Sequence, residues 1–435
     1  MVADAALSLP LFPEPSRTHA APQGAKNPRS RRRTASRQAA PPGAPDPVLE
    51  EEATPARHHG VGADVKDFDV RLLAVGRVKG IGVQALRALI DTFDGDLARV
   101  WREDTPTVGD VLARARVKDP RKVATEIANR RDELLADAER ERDALAAEQV
   151  RVLGMHEPAF PRRLAELPDG PYWLFVQGDP SALNAAAHVA IVGTRDSTPL
   201  GSKTAERLAH FVVTEGLSIV SGLAEGIDTA AHRVAAYYDV PQVAVLGTGI
   251  RHVFPRSTGG LRRRIVAAGG AVITEYLPDE SYGKANFVQR NRIQAGLASA
   301  VCPVEGRLKG GTAHTVAFAE RYGRELFGVY RGELPASNEL VKQLLEQGRP
   351  VLDLDTDGGV EALRRFLRAI EGPRAPIPSR PAPEYVFRDV LRALDELAAD
   401  VAITPFDARW LMRRIASRFG LREPDVNESG ERNGH

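Results

Sequence analysis

Ala190-Ile191-Val192-Gly193-Thr194-Arg195 joins an apolar run to a glycine stop and a basic residue two positions on. Ser197, Thr198 and Pro199 follow, offering hydroxyls that can cap a helix and a proline suited to its first turn. A strand that turns into a helix start aims free backbone N–H groups at one spot, where an anion can sit. Arg195 would add a bidentate donor for phosphate. The same residues also suit an ordinary strand-to-helix turn with a solvated arginine.

The pattern recurs downstream. Val220 to Asp228, with Ser221 and Gly222 at the turn, reads as a second strand and helix start. Asp228 and His232 then fall four apart on one helical face. Val243 to Gly249 is a third unit, ending Gly247-Thr248-Gly249. Phe287 to Leu297 carries Arg290-Asn291-Arg292, and Val304-Glu305-Gly306 leads to Gly310-Gly311-Thr312. Ligands bind beyond the carboxyl ends of the strands in open α/β sheets, and the glycines and polar residues fall at those ends.

Charge and aromatic spacing narrow the ligand. Arg251, Arg256, Arg262, Arg263 and Arg264 fall in one stretch without an acid. Lys284, Arg290, Arg292, Arg307 and Lys309 fall in another, against Glu305 alone. Phe254 and Phe287 lie inside these stretches. Basic side chains with interleaved aromatics give a backbone groove with stacking platforms, the pattern of single-strand binders. Charged helix faces and two core phenylalanines would produce the same spacing.

Together these stretches resemble the DNA-processing protein A (DprA/Smf) family. The family pattern runs roughly G-x-R, S-G-x-A-x-G-I-D-x-x-A-H, A-V-L-G-x-G, Y-P, F-x-x-R-N-R-I and V-E. It is met by Gly193-Thr194-Arg195, Ser221 to His232, Ala244 to Gly249, Phe254-Pro255, Phe287 to Ile293 and Val304-Glu305. Order and spacing hold over roughly residues 150 to 355, with a weaker echo at Phe160-Pro161 and Leu164. The chain reads as a divergent member. Leu200-Gly201 replaces Tyr-Gly, Phe287-Val288-Gln289 replaces the usual Phe-Pro start, and Val329-Tyr330-Arg331 replaces Val-Pro-Gly. Gly310-Gly311-Thr312-Ala313-His314-Thr315 replaces S-G-S-L-I-T, the departure most able to alter ligand preference.

The resemblance implies a non-enzymatic, cytoplasmic homodimer. It would bind and protect single-stranded DNA and help load the RecA recombinase during DNA uptake, natural transformation and recombination. The implied phosphate-binding set is Gly193, Thr194, Arg195, Ser221, Gly222, Gly247, Gly249, Phe287, Arg290, Asn291, Arg292, Gly310, Gly311 and Thr312. Asp228, His232 and Glu305 would support it from behind, with Asp228 and His232 ordering the Ser221–Gly226 turn, while Arg292 could instead brace Glu305 or Asp228.

Other chemistries compete. Nucleoside-monophosphate phosphoribohydrolases related to lysine decarboxylases use P-G-G-x-G-T-x-x-E on a similar sheet. Gly310-Gly311 imitates its start, but Ala317 stands where the catalytic glutamate belongs, leaving Glu305 as the nearest candidate base. Gly247-Thr248-Gly249-Ile250-Arg251-His252 lacks the third glycine of a dinucleotide fingerprint. No third ligand accompanies Asp228 and His232 at metal-binding spacing. No cofactor and no metal are expected.

The elements that must hold these residues follow from periodicity. Strands are predicted at 189–192, 218–220, 242–246, 271–274, 301–304 and 325–329, with helices between them. That alternation implies a Rossmann-like, mostly parallel sheet covered on both faces. A chain of 435 residues has room for flanking parts. The reading is a Pro/Ala/Arg-rich disordered tail over 1–64, a helical domain over 65–150 and the sheet domain over 151–370. A linker (371–384), a short helical segment (385–421) and a disordered tail (422–435) complete it. Lys79-Gly80-Ile81-Gly82 resembles a helix-hairpin-helix turn, either for phosphate or for close packing. Residues 122–149 read as one long charged helix. Net charge is +1, so any nucleic-acid footprint must be local. Arg29, Arg31, Arg32 and Arg33 cluster in the first tail, where they either graze a nucleic acid or are simply solvated. The lone Cys302 excludes an intrachain disulfide, and no run has the roughly 18 apolar residues of a membrane helix.

Overall fold

The computed structural model describes residues 67–335 and 338–376. The expectations for the two tails, for the 385–421 segment and for the linker past residue 376 lie outside the described residues.

Residues 68–147 are helical: α1 (Phe68–Gly76), α2 (Val83–Thr92), α3 (Thr105–Arg114), α4 (Pro120–Asn129) and α5 (Arg131–Ala147). Their apolar faces bury Leu72, Leu86, Leu89, Leu112 and Ile127 in one core with Trp173, Phe175 and Val272 from the sheet. The single long helix expected over 122–149 is two helices. Arg130 leaves helical geometry at φ −110° and ψ 20°, and its guanidinium bonds Glu126 and Glu133 on either side of the break. With no glycine or proline there, the charge pattern runs on unbroken and hides the joint.

An antiparallel pair, β1 (Val150–Gly154) and β2 (Trp173–Gly178), flanks the short α6 (Arg162–Ala165). Periodicity predicts no strands here, because neither belongs to a strand-helix repeat. The repeat itself follows as β3 (His188–Gly193), α7 (Pro199–Thr214), β4 (Ser218–Ser221), α8 (Ile227–Tyr238), β5 (Val243–Val245), α9 (Gly259–Ala267), β6 (Ala271–Thr274), α10 (Lys284–Leu297), β7 (Ala300–Glu305), α11 (Gly311–Arg321) and β8 (Glu325–Leu326). The expected strand over 325–329 divides. β8 joins β7, while β9 (Gly328–Tyr330) pairs in parallel with β10 (Val351–Asp353) in a separate small sheet. α12 (Glu339–Glu346) and α13 (Asp357–Ala369) complete the described chain.

The eight-stranded order is β1-β2-β6-β5-β4-β3-β7-β8. β3 to β6 march outward in one direction, then the chain crosses back to place β7 on the other side of β3. The switch point therefore lies between the ends of β3 and β7, where open α/β sheets bind ligands. Alternate residues of β3 serve opposite faces: Val189 and Ile191 pack with α7 and α8, Ala190 and Val192 with α10 and α11 residues. Burial on both faces explains the unbroken apolar runs. The register slips at the end of β3, where Val192 faces Pro303 and Gly193 faces Glu305. That extra residue turns Glu305 toward the switch point.

Candidate functional site

A cleft of about 800 Å³ opens at this switch point. Gly193, Thr194, Arg195, Asp196 and Thr198 form one wall, and Glu305, Gly306, Arg307, Gly310, Gly311 and Thr312 form the other. Asp228, Asn291, Gln294 and Thr315 lie between them, with Tyr282, Lys284 and Phe287 on α10 and the loop before it. Phe287, Arg290, Asn291 and Gln294 follow helical spacing, so one stripe of α10 supplies them all.

Arg195 is exposed and lies over the Phe287 ring, its guanidinium carbon 4.8 Å from the ring centroid. It makes no ion pair among the described residues. An arginine on an aromatic face keeps its N–H edge free for phosphate. Gly311 and Thr312 begin α11, whose Gly310 cap provides no side-chain acceptor. The positive end of that helix is thus open to an anion. Asn291 Nδ2 donates to the Gly311 carbonyl at 3.1 Å and fixes this helix start against α10.

The start of α7, expected as the anion site, is already engaged. Glu305 Oε2 accepts from Thr198 N at 3.0 Å and from Thr198 Oγ1 at 3.1 Å. Thr198 Oγ1 in turn accepts from Gly201 N at 2.9 Å, an N-cap. Gly193 lies at the cleft by sequence expectation, but the carboxylate of Glu305 takes the place foreseen for a phosphate.

Arg290 is buried and donates to the Gly222 carbonyl at 2.8 Å and to the Val245 carbonyl. Burial pushes its guanidinium down to about 10, still protonated at neutral pH, with Asp228 acting in the opposite direction. Asp228 Oδ2 accepts from Gly222 N at 3.1 Å and Ala224 N at 3.4 Å, the turn-ordering role expected of it. Burial raises its carboxyl, and Arg290 partly offsets this. His232 Nδ1 meets Gln242 Oε1 at 2.6 Å, and the imidazole also interacts with the Ser221 backbone at the start of the turn. Burial pushes its imidazole down to about 4, so it is neutral near pH 7.

Several residues expected to touch phosphate are placed behind the cleft. Arg292 is buried and paired with Glu275, not with Glu305 or Asp228, and Arg87 of α2 approaches the same carboxylate at 3.8 Å. Two residues past Arg290, it belongs to another face of α10. Ser221 Oγ donates to the Ile191 carbonyl at 2.6 Å. Gly222 and Gly247 make room for α10 side chains. A Cβ on Gly222 would lie 2.3 Å from Arg290 Nη1, and one on Gly247 would lie 2.8 Å from the Phe287 ring. Gly249 N donates to the Glu280 carbonyl at 2.8 Å.

The basic stretches divide likewise. Arg251 pairs with Glu141, Glu148 and Asp279. Arg262 is buried, bonding Gln177 and the carbonyls of His252 and Ile250. Arg256 and Arg263 are exposed, as are Lys284, Arg307 and Lys309 around the cleft. The Lys79–Gly82 turn does join two helices, but Glu141, Asp279 and Glu280 outnumber Arg77 around the hollow beside it, and Arg77 is paired with Glu141, which disfavours phosphate there. Tyr282 and Gln294 escaped the sequence reading, while Thr315 entered it only as the end of the Gly310 loop. Gln294 was findable, seven residues after Phe287 on the same stripe; Tyr282 sits in a loop without periodicity. Among the described residues no group of three His, Cys, Asp or Glu could hold a metal, and no helix is long and apolar enough to cross a membrane.

The family model for DNA recombination-mediator protein A matches residues 151–354. Protein Smf of Escherichia coli K12 is 32% identical over 269 residues, covering 61% of this chain and 69% of that protein. DNA processing protein DprA of Streptococcus pneumoniae R6 is 33% identical over 201 residues, covering 46% of this chain and 70% of that protein. The X-ray structure of DprA from Streptococcus pneumoniae superposes with a TM-score of 0.53 at 27% identity, covering 68% of this chain and 97% of that one. With its G-x-R turn, its R-N-R helix and its sheet order in place, this chain belongs to the DNA recombination-mediator protein A (DprA/Smf) family.

Proposed function

We propose that this protein processes DNA by binding it as a single strand along the switch-point cleft. One observation supports this most: Arg195, exposed and without an ion pair among the described residues, stacks on Phe287 at the mouth of that cleft. A guanidinium seated on an aromatic face presents its N–H edge to a phosphate. Lys284, Arg307 and Lys309 add exposed positive charge, and the open start of α11 adds backbone donors. Gly310 to Thr312 thereby serve through the helix end. Gly193 and Thr194 shape the opposite wall, and Arg290, Asn291, Gly222 and Gly247 hold Phe287 and α11 in position.

The role is binding, with no bond made or broken. Glu305, the remaining candidate base for cleaving an N-glycosidic bond, is held by Thr198. Family membership supports the wider reading: a cytoplasmic homodimer that protects single strands and helps load the RecA recombinase in DNA uptake and recombination.

Fluorescence anisotropy with a single-stranded oligonucleotide, its duplex and a mononucleotide tests this. The single strand should bind tightest, and affinity should rise with strand length. Tight mononucleotide binding with no gain from a longer strand, or release of free base from a nucleoside monophosphate, would overturn it in favour of a phosphoribohydrolase-like enzyme.

A further inference from the structure

Phe254 and Tyr282 continue an aromatic cluster outward from the cleft. Phe254 is 41% exposed and Tyr282 is 49% exposed. Their ring centroids lie 4.9 Å apart, and Phe287 lies 5.7 Å from Phe254 and 5.1 Å from Tyr282. Phe287 is itself buried beneath Arg195, so the outer two rings hold the accessible area.

The two loops that carry these rings are tied to each other. Gly249 N donates to the Glu280 carbonyl at 2.8 Å and Arg251 N to the Pro278 carbonyl at 3.1 Å. His252 Nε2 lies 3.0 Å from the Asp279 carbonyl. Arg251 ties the same loops to Glu141 and Glu148 of the helical region, and the buried Arg262 holds the carbonyls of Ile250 and His252. Exposed aromatics on so braced a support lose little freedom when something stacks on them.

The acids on and beside these loops are engaged, Asp279 with Arg251, Glu280 with Asn286 and Glu225 with Ser257, which leaves basic groups as the free charges. Arg195 overlies the inner ring, Arg256 follows Phe254 by two residues, and Lys284 follows Tyr282 by two. All three are exposed and make no ion pair among the described residues. An apolar protein partner would leave those cations unmatched, and a duplex hides its base faces. A strand with free bases and a phosphate at each step matches both the rings and the charges.

We propose that Phe254 and Tyr282 form a base-stacking station outside the cleft, taking the bases of nucleotides that extend a strand whose phosphates occupy the cleft. This rests on the single-strand reading and adds to it a division of labour: phosphates inside, bases on the outer rings. The station gives affinity without sequence preference, because every base offers a face.

The test is an anisotropy titration of the full chain with an oligothymidylate and with an abasic strand of equal length. The wild type should favour the oligothymidylate roughly tenfold or more. Phe254→Ala should lose about five- to tenfold on the oligothymidylate, the scale of one lost stacking contact, with unchanged affinity for the abasic strand. Phe254→Tyr, which keeps a ring, should retain wild-type behaviour on both. Wild-type affinity of Phe254→Ala for the oligothymidylate would overturn the station, and so would an equal loss on the two strands. Failure of the wild type to bind either strand would overturn the single-strand reading beneath it.

Discussion

Glu305 sets the charge balance at the residue scale. Its carboxylate holds the start of α7 through Thr198, yet it lines the cleft assigned to phosphate. Glu305→Gln keeps an acceptor for Thr198 and removes a negative charge. The variant should bind single-stranded DNA about two- to fivefold tighter at low salt, an advantage that screening erases at high salt. Unchanged or weaker binding at low salt would show that the carboxylate does not face the bound strand. Single residues were unevenly legible. Arg195 stood out because it follows a strand end and a glycine, and although Asp196 is its neighbour in sequence the two form no ion pair among the described residues. Arg290 and Arg292 stood out equally, but sequence carries no sign of burial. Their partners lie far off in sequence, the Gly222 carbonyl 68 residues from Arg290 and Glu275 17 residues from Arg292.

At the scale of elements, α10 is the part that strands β4 and β5 are shaped to receive. Gly222 and Gly247, each just past one of those strands, clear space for Arg290 and Phe287. Gly222→Ala should therefore destabilise the fold by about 1–3 kcal/mol, the usual effect of overpacking, measured by urea denaturation. It should also weaken single-strand binding, because the Arg290 seat orders the turn against the cleft. A variant as stable as wild type would mean that Arg290 has another place to go. The repeat of strands and helices was readable because both faces of the sheet are buried and the runs stay apolar. β1 and β2 were not, since the antiparallel strands on that side of the sheet lie outside the repeat. The joint at Arg130 left no glycine or proline to read.

At the scale of the whole molecule, a net charge of +1 conceals a cleft edged by Arg195, Lys284, Arg307 and Lys309. The buried neutral histidines make a separate prediction. Burial pushes His188 and His232 down to about 4 and His210 down to about 3. Unfolded, each titrates near 6.5, so below that pH the unfolded chain binds more protons and stability falls. The urea midpoint should therefore decline steadily from about pH 6.5 to about pH 4; a flat midpoint across that window would contradict the buried, neutral assignment. The most direct test of the DNA-binding account is the salt dependence of single-strand affinity, wild type against Arg195→Ala. Log K should fall linearly with log salt, by roughly 0.7 per phosphate neutralised, and Arg195→Ala should both weaken binding and flatten that slope by about one contact. An Arg195→Ala protein with wild-type affinity and slope would contradict the placement of the strand at this cleft.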